Sequence, residues 1–323
     1  MPLKVLFRCD AAYIKGIGSG HLIRCIVIAR TLEKYFKFKK KDFLFIIKSV
    51  DKYILGRKII NKYNYSFLQI KKNITKINEI KTLMKFKSKL LIVDKYKFYD
   101  TSTYNAVKKN FEKIILIDAY NKKYKNIKYL NPTFNKANIY KPSILIIPSL
   151  LIQKSINKKI NNEIKNIFIF FGSFDFKKIQ LRIINLLNKI EGNFKIFISE
   201  NYKSKFKKVK GLIYYNENNF FSYLKKSDLA ITSGGLIMYD VMNLNVPLII
   251  FPQIKHQILN SNYYKKNKCL ISILLNKNLS NNFINAFKII KDRKSRYSMI
   301  KRQQKIFTKK KRQKILKILK KCI

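Results

Sequence analysis

The chain has 323 residues, a mass of 38.4 kDa and 47 % hydrophobic residues. That is enough for two domains of about 100–200 residues each, and too apolar for a wholly disordered chain. Its 70 Lys+Arg against 17 Asp+Glu give a formal charge of +53, which raises nucleic-acid or anionic-membrane binding. The lysines, however, stand in nearly every segment beside Ile, Asn, Tyr or Phe, the alphabet of AT-rich codons, so genome composition could supply much of this charge.

Four cysteines (Cys9, Cys25, Cys269, Cys322) and two histidines lack metal-ligand spacing and make no disulfide scaffold, which suits a reducing, cytoplasmic setting. No run of 18 apolar residues is present, so no ordinary spanning helix is expected. Peripheral membrane contact through basic surface stays open. The N-terminal segment reads as a first strand and not as a signal peptide.

In chain order, residues 3–7 predict a buried strand, 8–20 a loop carrying Gly16, Gly18 and Gly20, and 21–36 an amphipathic helix with Leu22, Cys25, Ile26, Ala29 and Leu32 on one face. Strands follow at 42–48, 65–70, 90–94, 113–118 and 144–148, with helices at 51–60, 78–86 and 102–111. The short apolar runs ending in Asp94 and Asp118 resemble parallel strands whose C-terminal ends face a site. The polar stretch 152–165 marks an interdomain region.

A second series then begins: strands at 166–172, 194–199, 228–232 and 246–252, helices at 176–190, 221–227 and 236–245, and basic helical sequence after 281. The pattern predicts an α/β protein of two Rossmann-like open-sheet domains with an interdomain cleft. The expected divisions are 1–150, 151–290 and a basic helical tail at 291–323. The front glycines, GIGSGH, do not match the dinucleotide fingerprint, so no nicotinamide or flavin cofactor is expected.

His21 sits where a glycine loop meets a helix, and histidine accepts a proton near neutral pH, as activating a water requires. The glycines beside it permit close backbone approach to a ligand. Asp10 in the same loop would orient His21, bind substrate hydroxyls, or form an Asx turn. Arg8 precedes it, and Arg24 follows His21 by one helical turn. In the second series, Ser233, Gly234 and Gly235 join a strand to a helix, where unpaired N–H groups suit a pyrophosphate. Asp240, in that helix, would accept from ribose hydroxyls or be surface charge. Gly172 and Ser173 form a similar junction, and His256 and Gln257 lie just beyond a strand.

Residues 7–32 resemble the opening of the UDP-2,4-diacetamido-2,4,6-trideoxy-β-L-altropyranose hydrolases of pseudaminic acid biosynthesis, within the superfamily of MurG-type glycosyltransferases. Phe7, Arg8, Asp10, Gly18, Gly20, His21 and Arg24 match that opening. LLIVDKY (90–96) and ILIDA (114–119) resemble its next strands, and residues 228–257 its nucleotide-binding stretch, with Asp240 where a Glu is usual and His256–Gln257 where Asn-Gln is usual. The segment Phe171–Gly172–Ser173–Phe174–Asp175 departs from the family's Met-Gly-Gly-Thr/Ser-Asp.

The resemblance implies a GT-B-like fold with UDP held by the C-terminal domain at Gly172, Ser173, Ser233, Gly234, Gly235, Asp240, His256 and Gln257. It implies sugar near Arg8, Gly18, Gly20 and Arg24, with His21 activating water for metal-independent attack at the anomeric carbon, assisted by Asp10, and a monomeric enzyme. The alternatives are a glycosyltransferase of the same fold with an acceptor hydroxyl in place of water, an inactive relative, and a polyanion-binding protein.

Overall fold

The computed structural model describes residues 3–321 and 323, apart from 15–16, 49, 96–99, 118–127, 131–145, 154–157, 173–174, 176, 207–208 and 217. The chain divides into two compact units, one of Met1–Ile152 with Lys309–Ile323, the other of Gln153–Thr308.

In the first unit the elements are β1 (Val5–Cys9), α1 (Gly20–Phe36), β2 (Phe43–Lys48), α2 (Ile54–Tyr63), β3 (Phe67–Ile70), α3 (Lys76–Met84), β4 (Ser88–Asp94), α4 (Thr101–Lys108), β5 (Phe111–Ile117), β6 (Lys128–Leu130) and α5 (Pro148–Leu151). The strands form a parallel sheet in the order β3-β2-β1-β4-β5-β6. Both faces of a parallel sheet are covered by crossover helices, which is why its strands are apolar runs without alternation. Leu6, Ile46, Leu91, Val93 and Leu116 pack with Leu83 of α3 and Tyr104 and Val107 of α4. Phe7 stacks on Phe45 at 4.5 Å between ring centres on β1 and β2.

The register pairs Cys9 with Asp94, so the last residues of β1 and β4 lie side by side at the C-terminal edge of the sheet. In α/β sheets that edge is where ligands bind.

The second unit repeats the plan with β7 (Asn166–Phe170), α6 (Ile179–Leu187), β8 (Lys195–Ser199), β9 (Leu212–Tyr215), α7 (Phe220–Lys226), β10 (Leu229–Thr232), α8 (Leu236–Asn243), β11 (Leu248–Ile250), α9 (Lys255–Lys266), β12 (Ile271–Ser272), α10 (Leu279–Lys291) and α11 (Arg293–Ile306). Its parallel sheet runs β12-β11-β10-β7-β8-β9, over a core that includes Ile169, Ile183, Ile196, Ile231, Phe251 and Phe283.

Three expectations change. The strand expected at 144–148 is not one in its described part: Pro148 opens α5, because proline's fixed φ and missing N–H suit a first helical turn. Residues 144–145, like Asp118, lie outside the described residues. The basic tail at 291–323 is not a separate body. Buried Arg296 of α11 donates to the carbonyls of Ile290, Lys291, Asn161 and Asn162, tying α11 to the start of the second unit. The final helix, α12 (Lys309–Lys320), belongs to the first unit: Ile315 and Leu319 are buried, and Arg312 Nε donates to the Leu150 carbonyl at 2.8 Å. Finally, β9, α9 and β12 emerge where no element was expected; α9 has a weak apolar stripe and β12 is two residues long.

Candidate active site

Helix α1 begins at Gly20, so His21 stands in its first turn and Arg24 one turn further on. Both meet Asp94 at the end of β4. His21 Nδ1 lies 2.6 Å from Asp94 Oδ1. Arg24 Nε donates to Oδ2 and Nη2 to Oδ1, each at 2.7 Å, a bidentate fork. Asp94 is fully buried. Burial by itself would raise its carboxyl, but Arg24 and then His21 hold it below the usual range. An ionised carboxylate only accepts, so Nδ1 carries the hydrogen and Nε2 is left as the basic nitrogen. The 3.0 Å approach of Arg24 Nη2 to Nδ1 follows from both groups donating to the same oxygen.

Asp10 does not orient His21. Its Oδ1 pairs with Arg8 Nη1 at 2.9 Å and accepts from the Lys48 backbone N–H at 2.9 Å. Arg8 is fully buried. It also donates to the Cys9 and Ile46 carbonyls and to Glu79 of α3. Arg8 is therefore a support for Asp10, where a ligand contact was expected. Glu79 in turn accepts from Lys95 at 2.9 and 3.1 Å. Burial and the Arg8 charge push the Lys95 amine down, and Glu79 opposes them.

Neither Glu79 nor Lys95 nor the role of Asp94 was identified as part of the site from sequence. The ending of an apolar strand in Asp94 and the resemblance of LLIVDKY (90–96) to the family's strand were the available signals. Between Asp10 and α1, the loop folds back on itself through an antiparallel bridge of Ala12 and Gly18. Gly18 has φ +52, and a Cβ there would meet nothing within 4 Å, so the backbone conformation and the open space beside it are both those of glycine. Gly20 is the first residue of α1.

In the second unit, β10 leads through Ser233 and Gly234 to Gly235, which caps α8 without a side-chain bond to its first N–H groups. Gln257, in the first turn of α9, packs on this turn: a Cβ on Gly234 would stand 3.1 Å from Gln257 Cβ and from its carbonyl oxygen. Its Oε1 accepts from the Gln253 N–H at 2.8 Å, leaving Nε2 3.7 Å from where a Gly235 Cβ would be. Ser233 Oγ is at 3.6 Å from that point. A hydroxyl, an amide and a helix N-terminus thus converge, the donor set of an anion site.

Asp240 is buried in α8, which excludes the surface-charge reading. His256 is exposed in the first turn of α9, so its neighbour Gln257 is the residue brought against the glycines. Gly172 follows β7, the strand beside β10; it has φ +87 and open space where a Cβ would be. Ser173 lies outside the described residues. Among the described residues no three His, Cys, Asp or Glu side chains are grouped as a metal ion would require, and no helix is long and apolar enough to cross a membrane.

Residues 166–317 match the glycosyltransferase family 28 C-terminal domain. Over 98 % of the chain, the structure is similar to 99 % of the crystal structure of Acinetobacter baumannii MurG, with a TM-score of 0.64 at 13 % identity. The fold is GT-B-like. It is also similar to a putative UDP-N-acetylglucosamine 2-epimerase from Listeria monocytogenes, at TM-score 0.55 and 13 % identity, covering 99 % of this chain and 96 % of that one. In sequence, the chain is 24 % identical over 271 residues to the uncharacterized protein MJ1062 of Methanocaldococcus jannaschii, covering 73 % of this chain. It spans about half, 53 %, of that relative's length.

Proposed function

We propose that the chain is a nucleotide-sugar hydrolase that cleaves a UDP-linked 2,4-diacetamido-2,4,6-trideoxy sugar to UDP and free sugar. The observation that carries this reading is the Asp94–His21 pair, which leaves Nε2 as the basic nitrogen at the start of α1. Nε2 takes a proton from water as the water oxygen attacks the anomeric carbon. Asp94 stabilises the imidazolium that forms. The anomeric C–O bond breaks, and UDP leaves with the bonding electrons. The N–H groups at the start of α8, with Gln257 and Ser233, balance the diphosphate charge. Asp240 holds the ribose. The resemblance of residues 7–32 to the pseudaminic-pathway hydrolases supports water as the nucleophile.

The match of residues 166–317 to a glycosyltransferase domain favours a second reading, in which His21 deprotonates an acceptor hydroxyl. One experiment separates the two. The protein is incubated with UDP-2,4-diacetamido-2,4,6-trideoxy-β-L-altropyranose in ¹⁸O water, and UDP release is followed. Label in the sugar and none in UDP supports hydrolysis at the anomeric carbon. UDP release only when a hydroxyl acceptor is added supports transfer. No release under either condition overturns both.

A further inference from the structure

Basic charge is not spread evenly along this chain. Residues 293–323 are under a tenth of it, yet they carry 14 of the 70 Lys+Arg and none of the 17 Asp+Glu. Genome composition acts on every segment alike and does not produce such a gathering. Helix α10 shows the contrast: its exposed side offers Asn281, Asn282, Ile284, Asn285 and Ile289 beside two lysines.

In α12 every described exposed side chain except Gln313 is a lysine. Lys310, Lys314 and Lys317 stand at i, i+4 and i+7. Lys321 continues the row at i+11, its N–H still bonded to the Lys317 carbonyl at 3.1 Å. At 3.6 residues per turn and 1.5 Å rise, these four lie within an arc of about 60° and over about 16 Å. Like charges one turn apart destabilise a helix, and α12 contains no acid to offset them. The Lys113 amine, exposed on β5, donates to the Lys321 carbonyl at 3.1 Å and adds a further cation at that end.

The apolar side of α12 is already spent. Ile315 and Leu319 are buried in the first unit, and Arg312 is tied to the Leu150 carbonyl. The helix cannot enter an apolar medium without leaving the fold, so what it presents outward is charge.

We propose that this lysine row is a docking surface for an anionic phospholipid bilayer, held by charge and without insertion. Lysine is a strongly hydrated point charge on a flexible stem, which suits the diffuse negative potential of anionic headgroups. A single-stranded polynucleotide is held by aromatic stacking in addition to charge, and α12 has no aromatic residue. This assignment does not rest on the nucleotide-sugar reading.

The test compares two quadruple variants that lose the same charge. One carries Lys310→Gln, Lys314→Gln, Lys317→Gln and Lys321→Gln. The other carries the same change at Lys265, Lys277, Lys288 and Lys291, which are exposed in the second unit. Glutamine keeps a helix propensity close to that of lysine, and thermal melts check that both variants fold. The probes are vesicles of phosphatidylcholine alone and of phosphatidylcholine mixed equally with phosphatidylglycerol, read by co-sedimentation. The wild type should bind the mixed vesicles at least about 10²-fold more tightly than the neutral ones, and lose that binding as salt rises toward about 0.5 M. The row variant should bind the mixed vesicles at least about tenfold more weakly than the wild type, and the second-unit variant within about threefold of it.

Equal losses in the two variants overturn the proposal by assigning the binding to net charge. So does binding that persists in high salt, which marks insertion. Wild-type protein that leaves the mixed vesicles unbound overturns it without any variant, even where it retains a single-stranded oligonucleotide through the same lysines.

Discussion

Asp94 Oδ1 lies 2.6 Å from His21 Nδ1, although 73 residues separate them in the chain. The contact exists because β4 lies beside β1 and because α1 returns over that pair of strands. It gives the imidazole a fixed tautomer, so Asp94→Asn should lower the rate of UDP release by about 10²–10⁴ while changing KM little, as expected when the base is held in the wrong tautomer. Steady-state kinetics on the two proteins checks this. A KM effect with an unchanged kcat would place Asp94 outside the chemistry.

Acid stability reports the same contact. Arg24 and His21 hold the buried Asp94 carboxyl below its ordinary value of 3.8, so as pH falls the unfolded chain takes up this proton first. The contribution of Asp94 to stability is whole above about pH 4 and is lost as pH falls further, through the folded value. Asp94→Asn should therefore flatten the loss of stability on the acid side. Thermal melts from about pH 3 to 7 measure the difference in slope.

The nucleotide turn is tested by bulk. A Cβ at Gly234 would stand 3.1 Å from Gln257 Cβ and from its backbone oxygen, and a helix cannot yield there without moving its first turn. Gly234→Ala should cost about 1–3 kcal/mol of stability. It should also weaken UDP binding at least about tenfold, because Gln257 and the first N–H groups of α8 no longer converge. Calorimetric titration with UDP and a denaturant melt give the two numbers.

Lys158 offers a test away from the site. Its Nζ is buried with no hydrogen-bond partner among the described residues, and burial pushes the amine down to about 8, with Asp228 opposing. Below pH 8 the folded chain bears the whole cost of this charge. Between about 8 and 10.5 the unfolded chain binds more protons, so stability rises with pH. Lys158→Met should be more stable than wild type at pH 7 by about 2–3 kcal/mol, with the gain shrinking across that window. Parallel melts at pH 7 and at about pH 10 decide it.

Much of this was legible locally. The apolar runs of β1, β4, β7 and β10 and the stripe of α1 are set by neighbours a few residues apart, so the two α/β series could be read directly. The glycines beside His21 and the Ser233–Gly235 turn were legible because such residues are scarce in this chain, with 9 Gly and 2 His among 323. Glu79 was not legible: in sequence it is one polar residue of a short helix, and nothing nearby shows that it is buried against Arg8 and Lys95. The same holds for Gln257, which outranked His256 because helix α9 has no strong pattern to fix which side faces the glycines.

The sequence alone settles the alternation of strand and helix in two α/β series, the scarcity of acids among lysines, and the placing of glycine where the chain turns from strand to helix. These are local properties, carried by periodicity and by backbone conformations that few residues tolerate. Which carboxylate serves which cation was decided by the sheet. The parallel register puts Cys9 beside Asp94, and the crossover helices bring His21 and Arg24 to Asp94 and Glu79 to Arg8. A buried charge must find its partner wherever the fold places one. With 17 carboxylates to 70 Lys+Arg, only the assembled edge of the sheet shows that Asp10, Glu79 and Asp94 are spent together there.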